Sequence, residues 1–504
     1  MKNLLIATLS LALALTLLVH WLHLKEPAGG SAREAGGEHS DLVQVWVDEL
    51  IGSPEESYYY ELADLWNQTH PGVKVKMTVM AHSGYESKLR IALASGQPPD
   101  VCLGGLESLE NLRYTGKAED LAVTIPEEFF PRSRVKELGP VVETLILRDG
   151  RPTTFPVYRY SYGGFILANR AMLLEAGCDD EEIRRNGWTF EQFRDACRKM
   201  TRDTNGDGTP DIWAFGAALV HLNQLFLHEF GPAVWGKEVH RRSLMAWDQA
   251  KQRWDVHSAL TEEQIRIVFA LFDDLINEDK VWNPAYFGMN WNEINEELIG
   301  KRRLAMAFGE MPWVPKTRLD MWDLEEKQGV VHENPRPDLT VVWMPTLKAG
   351  DRPVPRSGLY GFNVMRQTPY KGDEHTHNAI RVALFITHPV HLVRSQFRRF
   401  RHLPADPVRF SRMFPEMVDP EDKWVRFYEE VFNSDIPLAE PPLGSETPDL
   451  ENYLKLRVEF TRWMEKSGIT YLQEVIFRRM TPEEGARKFM EDLRALPRSV
   501  YSAP

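Results

Sequence analysis

Residues 203–211 read Asp-Thr-Asn-Gly-Asp-Gly-Thr-Pro-Asp, a spacing of oxygen-bearing side chains suited to a hard cation. Asp203, Asn205, Asp207 and Asp211 occupy loop positions 1, 3, 5 and 9, and Thr209 takes position 7, where a backbone carbonyl serves. Gly208 stands at position 6, where the loop turns sharply. That is the arrangement of a calcium loop. Two features depart from it. Ala214 replaces the bidentate glutamate at position 12, and Ile212 to Phe215 reads as a strand rather than an exiting helix. A metal-free Asx-type turn is the alternative, because Asn, Asp and Gly favour such turns anyway. Nothing nearby supplies a nucleophile or base, so a calcium ion here would be structural.

Catalytic spacings are missing elsewhere. The chain has no G-x-x-x-x-G-K-[ST], no G-x-S-x-G and no H-E-x-x-H; His228-Glu229 lacks a second histidine at the required offset. A glycosidase pair would be invisible here, because its two carboxylates meet only in the fold. The acidic run Asp179 to Glu182 reads as a solvated helix start. Three cysteines, Cys102, Cys178 and Cys197, give no disulfide framework and no zinc spacing. They read as buried small hydrophobes, with a Cys178–Cys197 bridge as the alternative. A net charge of -13 argues against nucleic acid and against anionic membrane surfaces. The balance therefore tips from catalysis toward binding.

The elements that must position a site follow a βα alternation. Leu42 to Val47 alternates as a strand, Ser57 to Gln68 is helical and stops at His70-Pro71-Gly72, and Val73 to Met80 alternates again. Tyr85 to Ala94 is helical, and Val101 to Leu103 is a short buried strand. Strand, helix, strand, helix, strand implies a mostly parallel sheet with helices on both faces. Ligands of such sheets sit beyond the carboxyl ends of the strands, which singles out the residues after Val47 and after Leu103. A second block opens near Phe155. Tyr158 to Asn169 reads as one strand, and Arg170 to Ala176 as a short helix ended by Gly177. Thr189 stands as N-cap of a helix from Phe190 to Met200, with Gln192 completing a capping box. Further helices are expected over 262–277 and 293–300, strands over 304–308 and 340–344, and a largely helical remainder from about Asn378.

With 504 residues, 43% of them hydrophobic, the chain exceeds a single core. Leu4 to Leu22 is almost wholly apolar behind Lys2, the layout of an export signal, and is also about as long as a bilayer requires, roughly 20 residues. A cleaved signal and an uncleaved anchor, spanning 1–25, both place the remainder outside the cytoplasm. Residues 26–41 read as a flexible tether of Gly, Ala, Ser and charge.

Several segments, in order, resemble one family. They are WNQTHPGVKV at 66–75, ALASGQPPDV at 92–101, and Phe155 to Gly177 with its aromatic strand, Asn169 and EAG. WTFEQF at 188–193, the Asp/Asn/Gly loop before Trp213, and GKRRLAMAFGEMPW at 300–313 follow. SGLYGFNV at 357–364 and TPEEGARKFMEDL at 481–493 complete the set. Together they resemble the family 1 extracellular solute-binding proteins, the sugar-capturing subunits of ABC importers. The lipid-attachment cysteine usual there is missing, and the Pro-rich stretch 401–450 is longer than the resemblance leads one to expect.

The resemblance implies an α/β, two-lobed, periplasmic-binding-protein-like clamp, each lobe a mostly parallel sheet flanked by helices. It places 42–155 plus 309–366 in the first lobe and 156–308 plus 367–504 in the second. It implies no enzymatic activity: the chain captures a small polar ligand, a sugar first, for the membrane subunits of an ABC importer. An exported carbohydrate-active enzyme and a ligand-sensing module for a membrane partner are the alternatives. Sugars need aromatic plates and hydrogen-bonding groups. Tyr162, Trp235, Trp313 and Tyr360 would stack, Asp48, Glu49 and Glu310 would accept from hydroxyls, Gly104 and Gly105 would let backbone N–H groups approach, and Tyr85 lies on the same side.

Overall fold

The computed structural model describes residues 41–501 except 50–53, 106–121, 139–141, 144–145, 149, 163, 237–238, 240–243, 310–313, 352, 354–355, 398–402, 406, 415–435 and 438–447. The expected signal or anchor and nearly all of the tether lie outside the described residues. Among the described residues no helix is long and apolar enough to cross a membrane.

The first lobe begins as the hydrophobic alternation dictates. Strand β1 (Asp41–Asp48) buries Val43, Val45 and Val47 and leaves Leu42 outward. Helix α1 (Pro54–Thr69) turns Tyr58, Tyr59, Leu62, Ala63 and Trp66 inward, while Tyr60 is exposed. Strand β2 (Val73–Met80), helix α2 (His82–Ala94) and strand β3 (Val101–Gly105) follow. β1 pairs in parallel with β2 on one side and β3 on the other.

The stretch expected to be one strand over 158–169 is two. Strand β4 (Thr154–Tyr162) joins the first sheet, and β5 (Phe165–Asn169) opens another. The break falls at Gly164, whose φ of 78° suits a residue with no Cβ. The second sheet gathers β5, β6 (Trp213–Gly216), β7 (Leu304–Gly309) and β8 (Leu339–Trp343) in the order β8-β5-β7-β6. Helices α3 (Phe190–Met200) and α4 (Glu262–Asp273) pack on it. Each starts at a capping box, Thr189 with Gln192 and Thr261 with Gln264.

The chain then returns to the first sheet. Strand β9 (Arg356–Val364) inserts between β3 and β4, antiparallel to both. Helix α5 (Asp373–Ile386) covers that lobe's core, and the short strands β10 (Leu403–Pro404) and β11 (Ile436–Pro437) pair with β4 and β9. Helices α6 (Leu450–Trp463) and α7 (Pro482–Tyr501) belong to the second core. The larger sheet thus runs β10-β4-β9-β3-β1-β2 with β11 beside β9.

Two expectations change. The sheets are mixed rather than mostly parallel, because strands that return from the other lobe insert antiparallel. The lobe boundaries also shift. β8, expected with the first lobe, pairs in the second sheet, and α5, expected with the second, buries Ala379, Ile380, Val382 and Ala383 against the first.

Candidate functional site

The carboxyl ends of β1 and β3 meet the middle of β9. Tyr360 lies opposite Gly105 on one flank and Tyr158 on the other, and Gly361 lies opposite Gly104. The register slips between Tyr360 and Gly361, a bulge that re-aims the tyrosine. A Cβ at Gly361 would stand 2.4 Å from Thr154 Cγ2 and 2.6 Å from the Phe155 carbonyl oxygen, so the close approach of β4 and β9 requires glycine there.

The bulge brings two polar rings and a carboxylate together. The rings of Tyr158 and Tyr360 stack with centroids 5.0 Å apart and planes 18° from parallel. The Tyr360 hydroxyl donates to Asp48 Oδ2 at 2.9 Å. Burial first, then the neighbouring Tyr158 and Asp48, holds the Tyr360 phenol well above its ordinary range. Both tyrosines are half-buried, as is Asp48. A flat pair of rings beside a carboxylate is chemistry that fits a ligand with C–H faces and hydroxyls.

Five expected residues therefore converge: Asp48, Glu49, Gly104, Gly105 and Tyr360. Glu49 is buried, and its N–H donates to the Met80 carbonyl at 3.0 Å. Tyr162 ends β4, opposite Arg356. Glu310 and Trp313 lie outside the described residues. Two expected ligand residues, Tyr85 and Trp235, are buried instead. Tyr85 is 1% exposed, and its hydroxyl donates to the carbonyls of Leu103 and Trp46, tying β3 to β1 from beneath. Burial pushes its phenol well up. Trp235 is buried in the second core, folded back over Gly231 and against Phe226. Sequence reasoning missed Tyr158. Its signal was the i, i+2, i+4 spacing of Tyr158, Tyr160 and Tyr162, which puts all three on one face of a strand.

The 203–211 loop closes on itself. Asp203 accepts from the N–H groups of Gly206 and Gly208 at 2.6 and 2.7 Å. Asn205 and Asp207 each accept from the N–H two residues on, that of Asp207 and that of Thr209. Asp211 accepts from the Thr204 N–H and hydroxyl and from Asn205. These hydroxyl and amide donors hold the Asp211 carboxyl below its usual range. Among the described residues no three His, Cys, Asp or Glu side chains gather to hold a metal. As arranged, the side chains of the loop make a series of Asx turns.

The three cysteines are free thiols. Burial raises all three, Cys102 to about 12.

Comparison with known structures gives the same two-lobed fold. The maltose/maltodextrin-binding domain MalE from Bdellovibrio bacteriovorus, bound to maltotriose, superposes with a TM-score of 0.59 at 15% identity, covering 92% of this chain and 100% of that one. The GacH receptor of Streptomyces glaucescens, determined unliganded and with acarbose, gives 0.57 at 14% identity over 92% and 99%. The Thermus thermophilus maltotriose-binding protein gives 0.55 at 15% identity over 91% and 100%. No curated protein sequence matches the chain. The profile of bacterial extracellular solute-binding proteins matches residues 52–372, well over half the chain. The chain belongs to the bacterial extracellular solute-binding protein family.

Proposed function

We propose that the protein captures a carbohydrate between its lobes, outside the cytoplasm, and hands it to the membrane subunits of an ABC importer without turning it over. The observation that carries this reading is the Tyr158–Tyr360 ring pair with Asp48 at the carboxyl ends of the first lobe's strands. Aromatic faces take the C–H faces of a sugar, and the carboxylate accepts from its hydroxyls. The sugars bound by the structural neighbours support the same class. Asp48, Glu49, Gly104, Gly105, Tyr158 and Tyr360 form one wall in this proposal, and Tyr162, Glu310 and Trp313 are its further ligand residues. Closure over the ligand would be a hinge motion, driven by contacts made only in the closed state.

Two further proposals concern the periphery. The apolar stretch Leu4 to Leu22 exports the chain, as signal or anchor. The 203–211 loop takes calcium by exchanging the hydrogen bonds of Asp211 for the ion; the spacing of its oxygen ligands supports this.

The test is a thermal-shift screen of the protein against maltotriose, acarbose, xylo-oligosaccharides and monosaccharides, with chromatography of the sugars afterwards. Binding to the native state raises apparent stability by mass action. A rise with one class and no loss of that sugar supports the proposal. Consumption of the sugar would make the protein an enzyme, and no rise with any sugar would move the ligand to another solute class.

A further inference from the structure

The first passage from lobe to lobe is made within two residues, 163 and 164. β4 ends at Tyr162 in the larger sheet, β5 starts at Phe165 in the smaller, and Gly164 stands between them with φ 78°. Both backbone groups of Gly164 are held by the second lobe. Its carbonyl accepts from the Met344 N–H at 2.7 Å, just past β8, where the chain sets out back to the larger sheet. Its N–H donates to Glu229 Oε2, also at 2.7 Å.

Glu229 is an odd residue for that place. It lies in the apolar run Leu-Phe-Leu-His-Glu-Phe, on a π-helical turn (Leu225–Phe230). Such wide turns are found often at functional positions. Flanking it, Phe226 packs against Phe269 and Phe489, and Phe230 against Phe190 and Phe272. The residue is 5% exposed. Oε1 has no hydrogen-bond partner among the described residues, and no cation there pairs with the carboxyl. An acidic side chain in an aromatic core costs stability unless something is gained by it.

We propose that Glu229 is the positioning residue of the hinge: by holding the Gly164 N–H it sets the angle at which the two lobes meet. Its effect on capture passes through that hinge and not through contact with the ligand; this last consequence rests on the receptor function proposed above. Burial supports the same picture, holding the carboxyl well above the usual carboxylate range. Glu229 offers Gly164 a side-chain oxygen as acceptor, and the amide carbonyl of glutamine offers one at the same reach. Leucine offers none and leaves a buried N–H orphaned.

The experiment uses the full-length chain carrying Glu229→Gln, Glu229→Leu and Glu229→Asp. Hydrogen exchange of the peptide containing Gly164 is read without ligand. The lobe-to-lobe distance distribution is read between spin labels at Ile91 and Val331, both exposed, in a Cys178→Ser background. Expected for Glu229→Leu is exchange at Gly164 faster by roughly tenfold, from the lost hydrogen bond, and a broadened distance distribution. Glu229→Gln should match the parent in both. Glu229→Asp, which pulls the oxygen back by one methylene, should fall between them and serves if the leucine variant does not fold. An unchanged distribution in the leucine or aspartate variant overturns the proposal, and so does a glutamine variant that behaves like leucine. Maltotriose titration by calorimetry is run separately. A parent that ignores maltotriose would count against the sugar reading while leaving both hinge readouts standing.

Discussion

The Tyr360 hydroxyl donates to Asp48 Oδ2 across 312 residues of chain, joining the strand that opens the first lobe to the strand that closes its sheet. Asp48→Asn keeps the size of the side chain and removes its charge. It is expected to weaken sugar binding by about tenfold or more, the worth of a hydrogen bond to a charged group. The melting temperature should move little. Calorimetry with whichever sugar the screen selects decides this, and unchanged affinity would remove Asp48 from the ligand wall.

Gly361→Ala should damage the scaffold under the tyrosine pair rather than the pair itself. The added methyl would meet the Phe155 carbonyl oxygen and Thr154 Cγ2 well inside contact distance. Overpacking of this kind costs about 1–3 kcal/mol. Urea unfolding should show the midpoint lowered, and the stack of Tyr158 on Tyr360 should report the distortion in near-ultraviolet circular dichroism. A variant as stable as the parent would mean that β4 and β9 part easily there.

His375 stands between two carboxylates, its Nδ1 2.6 Å from Asp41 and its Nε2 2.7 Å from Asp100. Asp100 first, then Asp41, raises the imidazole above its ordinary value. Asp100 is opposed by its own burial, yet His375, the Gln44 N–H and Lys371 together hold its carboxyl below the usual range. The histidine's contribution is fully present below its unfolded pKa, near about 6.5, and is lost as pH rises through the raised folded value. The aspartate's contribution is present above its unfolded pKa, near about 3.9, and is lost as pH falls through the lowered folded value. His375→Gln should therefore cost most between about pH 4 and 6.5, on the order of 3 kcal/mol for a broken buried pair, and progressively less above that window. Denaturant titrations across pH test this; a cost independent of pH would mean that the ring is neutral.

Calcium added to chelator-treated protein is expected to raise the melting temperature, and Asp207→Ala should abolish the rise. No response in the parent protein would leave the 203–211 loop as the self-bonded turn that Asp203 and Asp211 already make.

Much of the fold was legible because burial imprints a period. Val43, Val45 and Val47 announce β1, and Thr189 with Gln192 announces a helix start through a local hydrogen-bond exchange that needs no tertiary context. Lobe membership was less legible. Whether α5 covers the first sheet or the second depends on where the chain turns in space, and its own sequence is amphipathic either way. The single strand expected over 158–169 failed for a related reason: its residues suit a strand throughout, and only the left-handed Gly164 shows that they serve two sheets. In the site, chain position located the strand ends of Asp48, Gly104 and Gly105, since ligand sites follow carboxyl ends. Residue type could not say that Tyr85 and Trp235 point into cores. Glu229 did leave a sign, a lone acid in an apolar run, which motif searching passed over.

The place of β9 between β3 and β4 has a consequence for how the chain is made. Both neighbours are complete by Tyr162, yet the strand that must join them begins only at Arg356. At ordinary synthesis speeds that interval lasts roughly 10–40 s. Throughout it the facing edges of β3 and β4 are rows of unpaired N–H and C=O groups, open to pairing with other chains. The lobe with the larger sheet is therefore the slow half of biogenesis, and a fragment ending before Arg356 should aggregate through these edges.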